Sequence, residues 1–278
     1  MKNAEGSLTS LGAAALRAVH QLLDGEPRLF SDPVILRWLS PDQLDQIKSN
    51  APYYREPVQL GLRSHIVLRS RYAEDRLALA YARGIRQYLL LGAGLDTFAW
   101  RQPRGLEGLR IFEADHPATQ AQKQQRLAQA GIEVPDNCEF VPVNFETESL
   151  EAALRRSSLD FGAPVFISWL GVMVYLSMEA TDAIFRFVVT LPASTELVFT
   201  FSQKRFLEQQ HPTAARAAEV GEPWLTFLRP EELAWKLCKL GYASLDFLQP
   251  EKAEALYYTG RPSGLPVPLR SSIAIATV

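Results

Sequence analysis

Two glycines directly after a short apolar run mark the first place in this sequence where chemistry is expected. The run covers Ile85 to Leu91, and Gly92-Ala93-Gly94 follows it. Glycine tolerates positive φ angles and lets the backbone approach a ligand closely. A lone Gly-x-Gly is equally compatible with a plain turn from a strand into a helix, so the motif needs support from its surroundings.

An acidic pair stands at the end of a second apolar run, which covers Leu109 to Ala114. The pair is Glu113 and Asp115, in the segment Phe112-Glu-Ala-Asp115. A carboxylate at the end of a strand can accept hydrogen bonds from two vicinal ribose hydroxyls. Glycines after one strand and an acid roughly 20 residues further on are together typical of a nucleotide-binding loop.

The residue at the third glycine position of this motif separates two classes of nucleotide. Thr97 stands where Gly-x-Gly-x-x-Gly has its last glycine. A dinucleotide pyrophosphate is therefore a worse fit than a nucleoside without phosphates, and S-adenosylmethionine is such a ligand. A nicotinamide-dependent oxidoreductase stays as a less favoured alternative.

A helical segment of 83 residues is predicted to precede these motifs. Apolar positions from Leu8 to Leu23 recur at helical spacing. Ser31-Asp32-Pro33 and Ser40-Pro41-Asp42 each combine a capping residue with a proline, as helix starts do. After a break at Glu56-Pro57, a further helix is predicted from about Gly61 to Arg83. We expect this segment to form a cap over the ligand-binding edge of the sheet that follows.

From residue 84 to 278, short apolar runs alternate with helical stretches, which favours a doubly wound, mostly parallel α/β sheet. The last two runs are predicted to pair as antiparallel strands. The seven runs are Ile85–Leu91, Leu109–Ala114, Glu139–Val143, Pro164–Leu170, Glu196–Phe201, Ala243–Leu248 and Ser272–Val278.

Several segments of the chain, in order, resemble the leucine carboxyl methyltransferase family. The resemblance implies a seven-stranded, Rossmann-like methyltransferase sheet, S-adenosylmethionine as the methyl donor, and an oxygen as the acceptor. The family includes an enzyme that methylates the C-terminal leucine of a protein phosphatase, and bacterial enzymes that methylate small-molecule carboxylates. The matching segments are Tyr88–Arg101, Phe112–Pro117 with Lys123, Asp32-Pro33, Arg69–Tyr72, Phe140–Asn144, Gly171–Leu176 and Gly221–Pro223.

The resemblance also implies which residues bind the cofactor. The glycine loop is expected to contact its amino-acid part, one of two arginines its carboxylate, and one of the two acids its ribose. Residues after the third and fourth strands complete the expected site. The expected cofactor-binding residues are Arg69, Arg71, Gly92, Ala93, Gly94, Asp96, Thr97, Glu113, Asp115, Asn144, Phe145 and Leu170.

Two of these positions depart from the family's pattern. Asn144 stands where an aspartate is common, although an amide can still pair with an adenine edge. Leu170 replaces an acidic residue that would hydrogen-bond the amino group of the cofactor. Both changes remove negative charge that would face a sulfonium cation. They motivate a second hypothesis, a non-catalytic S-adenosylmethionine-binding module on the same fold.

The leading hypothesis is an O-methyltransferase that esterifies a carboxylate of a small molecule. A carboxylate is ionised at neutral pH and needs no general base, whereas a phenol acceptor would need one. Tyr175 is the candidate catalytic residue, and His65, His116 and His211 are weaker candidates for a base. An insertion over residues 203–229 is expected to shape the acceptor pocket.

Composition gives no support to several other classes of protein. A formal net charge of −2 over 278 residues gives no support to nucleic-acid binding. Two cysteines, Cys138 and Cys238, make neither a disulfide framework nor a zinc site, so no metal is expected. We expect no membrane span and no signal peptide, and hence a cytoplasmic protein. The oligomeric state is left open.

Overall fold

A seven-stranded sheet forms the centre of the computed structural model, which describes residues 7–203, 212–261 and 264–278. The strand order is β3-β2-β1-β4-β5-β7-β6, in which β1 to β5 run parallel and β7 is antiparallel to both neighbours. The doubly wound sheet and the antiparallel terminal pair are thereby confirmed. The strands are β1 (Gln87–Leu91), β2 (Arg110–Asp115), β3 (Cys138–Pro142), β4 (Phe166–Trp169), β5 (Glu196–Thr200), β6 (Ser244–Phe247) and β7 (Ile273–Thr277).

Helices precede the sheet and connect its strands. Short single-turn helices also follow β1, at Phe98–Trp100, and β4, at Met173–Tyr175. The α-helices of the described residues are α1 (Leu8–Leu23), α2 (Pro33–Arg37), α3 (Pro41–Ser49), α4 (Ala51–Tyr54), α5 (Pro57–Ala82), α6 (Pro117–Gln129), α7 (Leu150–Leu154), α8 (Met178–Val188), α9 (Pro212–Glu219), α10 (Pro230–Leu240) and α11 (Pro250–Ala253).

Apolar side chains of the central strands are buried on both faces of the sheet. In β1, Leu89 belongs to a core cluster that includes Phe185 of α8, and Leu90 belongs to a second cluster that includes Leu77 of α5. Neighbouring residues of a strand point to opposite faces, so a strand covered on both sides reads as one continuous apolar run. This double burial explains why the run before Gly92 shows no alternation.

Five helices form the predicted N-terminal cap. Ser7, Asp32 and Ser40 cap the starts of α1, α2 and α3 with their side chains, as the sequence indicates for the last two. The long helix α5 begins at Pro57, four residues before the predicted start at Gly61. A proline is favoured at the first position of a helix because its fixed φ suits the turn and its missing N–H is not needed there. The expected break is therefore the helix start.

A buried network of charges joins the cap to the loop after β1. The Arg17 Nε lies 3.0 Å from a carboxylate oxygen of Asp32, and the Thr97 hydroxyl donates to the other oxygen at 2.7 Å. Arg101 donates to Thr97 at 2.8 Å and pairs with Glu74 through both of its terminal nitrogens. Breaking a buried pair of this kind costs about 3–5 kcal/mol, because a charge is left without its partner. The network therefore holds the cap in one position over the sheet.

Two findings bear on the classes considered from composition. Among the described residues, no helix combines the length and the apolar character needed to cross a membrane. The same part of the chain contains no group of three or more histidine, cysteine or acidic side chains that could hold a metal ion.

Candidate functional site

A cavity of about 1340 Å³ opens at the carboxyl edge of the parallel strands. Loops after β1 to β5 line it, together with α1, the first half of α5 and residues from Pro266 to Ser272. Ligand-binding cavities in proteins commonly measure about 300–1,000 Å³. The volume is therefore sufficient for two ligands side by side.

The glycine loop forms part of the cavity wall, and its two glycines are required by geometry. Gly92 and Gly94 have φ angles of +66° and +51°, a region that other residues rarely adopt. A Cβ at Gly92 would overlap the side chain of Val172, and one at Gly94 would lie 3.2 Å from the Cβ of Ser10. The Gly92 N–H donates to the Ala114 carbonyl at 2.7 Å. The loop is thus fixed while its backbone stays open to the cavity.

Asp115, the last residue of β2, also lines the cavity. Its carboxylate accepts hydrogen bonds from the backbone N–H groups of Gly94 and His116, the latter at 2.6 Å. Burial raises the pKa of Asp115 to about 6, although the two N–H donors oppose this rise. A carboxylate has more lone pairs than these two donors use. Asp115 can therefore still accept hydrogen bonds from a ligand.

Glu113 does not reach the cavity, although it lies only two residues before Asp115. It is fully buried beneath α6, where the Lys123 ammonium donates to its Oε2 at 2.5 Å. The ammonium also lies 4.9 Å from the ring centre of Trp100. Burial raises the pKa of Glu113 to about 7, against the lowering effect of Lys123. Of the two acids expected at the ribose, the structure brings only Asp115 to the cavity.

The two candidate arginines point to different places. Arg69 lines the cavity and lies against Gly171, whose φ of +75° and missing Cβ leave room for the guanidinium. Among the described residues, Arg69 makes no hydrogen bond or ion pair. Burial lowers its pKa to about 10, with Tyr175 opposing this effect. Arg71 lies outside the cavity lining and pairs with Asp75 at 2.9 Å. Residues two apart on a helix face nearly opposite directions, which accounts for the difference.

Asp96 and Thr97 follow the glycine loop, and only the first lines the cavity. The carboxylate of Asp96 accepts from the Phe98 N–H at 2.7 Å. Burial raises the pKa of Asp96, but Arg101 and Arg17 outweigh it and hold the pKa below its usual value. Thr97 is fully buried in the charge network of the cap. The Thr97 side chain therefore contacts Asp32 and Arg101, and it does not line the cavity in which a cofactor is expected.

The ends of β3 and β4 bring the remaining expected residues to the cavity. Asn144, Phe145 and Leu170 all line it. The side-chain Oδ1 of Asn144 accepts from the Glu146 N–H at 3.1 Å, which leaves the side-chain NH₂ group available to a ligand. Leu170 packs against the core cluster shared with α5. No acidic side chain takes the place of Leu170 at that position.

Tyr175 and His65 line the same cavity as Arg69. Tyr175 influences the pKa of Arg69, as stated above, and so lies within electrostatic reach of it. His65 precedes Arg69 by one helical turn, and its Nδ1 lies 3.4 Å from the Ser272 hydroxyl. Burial, followed by the charge of Arg69, lowers the pKa of His65 to about 3. His65 is therefore a neutral imidazole at physiological pH.

The other candidate histidines have structural surroundings or lie outside the described residues. His116 caps α6, because its Nδ1 accepts from the Ala118 N–H at 3.2 Å, although its side chain also borders the cavity. His211 lies outside the described residues, as do residues 204–211 of the predicted insertion. Of the rest of that insertion, Gln203, Ala217 and residues 220–225 line the cavity.

The residues that line the cavity include two groups of different character, which we call its two halves. We call the residues at the ends of β1 to β4, with Arg69, the strand-end half. The apolar half consists of hydrophobic side chains, and three of them at its mouth, Val58, Leu225 and Leu269, are 53%, 56% and 91% exposed. The apolar half is lined by Tyr53, Tyr54, Val58, Leu62, Val174, Phe201, Val220, Leu225, Val267 and Leu269.

Glu222 is a cavity residue to which the sequence reasoning assigned no function. Its motif, Gly221-Glu-Pro223, is one of the segments that resemble the family. The Glu222 carboxylate accepts hydrogen bonds from the start of α1, more than 200 residues away in the chain. A contact between such distant segments leaves no local signal in the sequence beyond the turn-forming glycine and proline.

Comparison with known proteins places these features in a family. A model of the family described as leucine carboxyl methyltransferase matches residues 10–189, more than half of the chain. YktD of Bacillus subtilis, named as a proposed S-adenosyl-L-methionine-dependent methyltransferase, is 27% identical over 95% of each chain. A similarly named protein of Frankia alni is 28% identical over 91% of this chain and 87% of its own.

A solved structure supports the same fold. The crystal structure of a proposed methyltransferase from Thermobifida fusca covers 99% of this chain and 96% of its own, with a TM-score of 0.59. A second structure, a protein of the family named duf574 from Streptomyces avermitilis, has a TM-score of 0.55. Both are only 18% identical in sequence, so they bear on the fold alone.

Proposed function

The chain belongs to the leucine carboxyl methyltransferase family, and from this premise we propose that it transfers a methyl group from S-adenosylmethionine to a carboxylate of a small, largely apolar acid. The observation that carries the proposal is the strand-end half of the cavity. There, the guanidinium of Arg69, which has no partner among the described residues, faces the same space as the carboxylate of Asp115 and the open glycine loop. These are the groups that an amino-acid carboxylate and a ribose require.

Each group has a proposed role toward S-adenosylmethionine. Arg69 binds the carboxylate through charge-assisted hydrogen bonds, which are stronger than neutral ones. Asp115 accepts from the ribose hydroxyls, and Asn144 pairs with the edge of the adenine, next to Phe145. The Leu170 carbonyl, rather than its side chain, accepts from the amino group. Gly92 to Gly94 let the backbone approach, and Asp96 adds negative charge.

The chemistry asks little of the protein beyond position. When bound, S-adenosylmethionine supplies a methyl group that is already activated by the sulfonium charge. The residues of the site align the acceptor oxygen with it and exclude water. Tyr175 lines the cavity together with Arg69, where its hydroxyl can orient an acceptor. Tyr175 is therefore proposed as an orienting residue.

The surroundings of His65 support the choice of a carboxylate over a phenol. Removing the proton of a phenol calls for a base with a pKa near the working pH. The pKa of His65, lowered to about 3, makes this imidazole a poor base. A carboxylate is already ionised at neutral pH and needs only to be held. The hydrophobic side chains of the apolar half favour a hydrophobic body on that acid.

A non-catalytic S-adenosylmethionine-binding module is the second candidate. Leu170 motivates it, because the position that would hold the amino group of the cofactor has no acidic side chain. In such a module the cofactor would bind, while nothing would be methylated.

The test combines calorimetry with a transfer assay. We expect S-adenosylhomocysteine to release heat of binding, and NAD to release none. With tritiated S-adenosylmethionine, decanoate and phenylacetate should yield volatile, base-labile methyl esters, and naphthol should yield no methyl ether. Asp115→Ala is the matched inactive control.

Each other outcome points to a different conclusion. No heat with S-adenosylhomocysteine would refute the cofactor assignment, and heat with NAD alone would favour an oxidoreductase. Binding without transfer to any acceptor class would favour the non-catalytic module. Methylation of naphthol but of neither acid would contradict the choice of a carboxylate.

A further inference from the structure

The carboxylate of Glu222 lies at the N-terminus of α1 and accepts four hydrogen bonds there. Its Oε1 accepts from the Leu8 N–H at 3.1 Å. Its Oε2 accepts from the Thr9 N–H at 3.1 Å, from the Ser7 hydroxyl at 3.2 Å and from the Thr9 hydroxyl. The side chain is buried, with a residue exposure of 9%. One acidic group thus satisfies most of the first turn of a helix that belongs to the cap.

The position of Glu222 is built into the backbone around it. Helix α9 ends at Glu219, and Gly221 follows with a φ of +79°, where glycine is strongly favoured. The N–H of Glu222 then donates to the Ala217 carbonyl at 2.9 Å. The first N–H groups of a helix have no partner within it, and the helix dipole favours a negative charge beside them. The Gly221-Glu-Pro223 motif therefore presents a carboxylate to α1.

The first turn of α1 lies over the strand-end half of the cavity. Residues from Ser7 to Ser10 line the cavity, and Glu222 lines it as well. The Cβ of Ser10 lies 3.2 Å from the position that a Cβ on Gly94 would occupy, so α1 and the glycine loop are in close contact. Any ligand on the glycine loop is thus partly covered by a turn that Glu222 holds in place.

We propose that Glu222 is a positioning residue that latches the first turn of α1 over the bound cofactor and slows its release. The latch rests on the proposed binding of S-adenosylmethionine to the strand-end half. Glu222 acts through α1: it keeps the roof of the site closed, and the exchange of spent for fresh cofactor requires these hydrogen bonds to open.

Glu222→Gln is the variant that tests the latch. An amide has only one oxygen, so its NH₂ group would face the N–H of Leu8 or Thr9, a donor against a donor. We expect S-adenosylhomocysteine to dissociate about tenfold faster from this variant, because charge-assisted hydrogen bonds are lost. Hydrogen exchange of residues 8–16 should also rise in the ligand-free protein. Glu219→Gln, the same change at an exposed position at the end of α9, is the matched control and should change neither.

A second variant removes one donor and leaves the carboxylate. Thr9→Val deletes one hydroxyl that donates to Glu222. S-adenosylhomocysteine should therefore dissociate about threefold faster from this variant. The latch would be overturned if either the dissociation of S-adenosylhomocysteine or the hydrogen exchange of residues 8–16 were unchanged in Glu222→Gln. Exchange that rises equally in α1 and in the central strands would also overturn it, because Glu222 would then support the fold as a whole.

The hydrogen-exchange measurement is made on the ligand-free protein. If the unmodified protein fails to bind S-adenosylhomocysteine, the proposed function is refuted and the latch on a cofactor with it. If the protein binds and only the exchange of residues 8–16 is unaffected by Glu222→Gln, the latch alone is refuted.

Discussion

The strand-end half and the apolar half of the cavity differ in how they are built. In the strand-end half, short loops after parallel strands carry a few polar groups, and internal hydrogen bonds fix them before any ligand arrives. The Gly92 N–H on the Ala114 carbonyl and the Phe98 N–H on Asp96 are examples. The apolar half consists of side chains from α4, from α5, from the segments after β4 and β5, and from two segments late in the chain. The strand-end half is determined largely by residues close together in the chain, whereas the apolar half forms only when distant segments pack together.

This difference has a functional consequence. Preorganised polar groups discriminate strongly, because a ligand that lacks a matching group leaves a buried polar atom unpaired. Hydrophobic walls discriminate weakly, by about 1–3 kcal/mol for each methylene group. We therefore expect one cofactor and a broader set of acceptors, and we expect substitutions in the two halves to affect different binding constants.

The largest effect is expected from Asp115→Ala. Its carboxylate is proposed to bind two ribose hydroxyls, and hydrogen bonds to charged groups contribute about 1.5–3 kcal/mol each. The Kd of S-adenosylhomocysteine, measured by calorimetry, should rise by about 100-fold. Asp246→Ala, an exposed position on β6, is the control and should bind normally. A Kd within threefold of the unmodified protein would remove Asp115 from the site.

Arg69 and Arg71 provide the next test, because they are neighbours on one helix with different surroundings. Arg69→Met should raise the Kd of S-adenosylhomocysteine by about 20-fold, since the guanidinium of Arg69 is proposed to bind its carboxylate. Arg71→Met removes the same charge from a side chain that pairs with Asp75, and should leave the Kd within twofold. An equal loss of affinity in both variants would indicate a general effect of charge and would contradict the assignment of Arg69 to the strand-end half.

A pH titration tests the same half without a substitution. The ionised form of Asp115 is the one that accepts hydrogen bonds, and its fraction falls as the pH falls below the pKa of about 6. The affinity for S-adenosylhomocysteine should therefore decrease about tenfold between pH 7 and pH 5. In Asp115→Asn, affinity should be low and flat over this range. A wild-type affinity that rises toward pH 5 would contradict the assignment.

A smaller effect is expected in the apolar half. Leu225→Ser should raise the KM of decanoate by about fivefold and leave the KM of S-adenosylmethionine unchanged, because a mouth residue contributes only part of its surface. Leu256→Ser is the matched control, since Leu256 is 55% exposed against 56% for Leu225 but lies outside the cavity lining. A rise in the KM of the cofactor instead would show that the two halves are not separate.

The sequence predicts the strand-end half well because its signals are local. The buried run of β1, the glycines after it and the acids near the end of β2 lie close together in the chain, and parallel strands bring such ends to one edge. The direction of Arg69 is different: it depends on which face of α5 meets Gly171, and helical spacing alone does not say which face is inward. The apolar half draws on segments far apart in the chain, so nothing in any one of them announces it.

Glu113 and Asp115 show where the local signal ends. Residues two apart in a strand point to the same face, so alternation assigns both acids to one environment. Depth separates them: Asp115 is the last residue of β2, whereas Glu113 lies under α6, where Lys123 arrives from ten residues further along the chain. This contact is visible only once α6 is packed on the sheet.

The smallest effect on binding is accordingly expected from Glu113→Gln. Because Glu113 lies outside the cavity lining, the Kd of S-adenosylhomocysteine should change by less than about twofold. The free energy of unfolding in urea should nevertheless fall by about 3 kcal/mol, because the buried Lys123 loses its charge partner. Adding Lys123→Met should restore much of that loss, since both charges are then gone. If Glu113→Gln instead weakened binding as much as Asp115→Ala, the two carboxylates would act as one unit. The position of each acid along β2 would then not separate a structural role from a ligand-binding role.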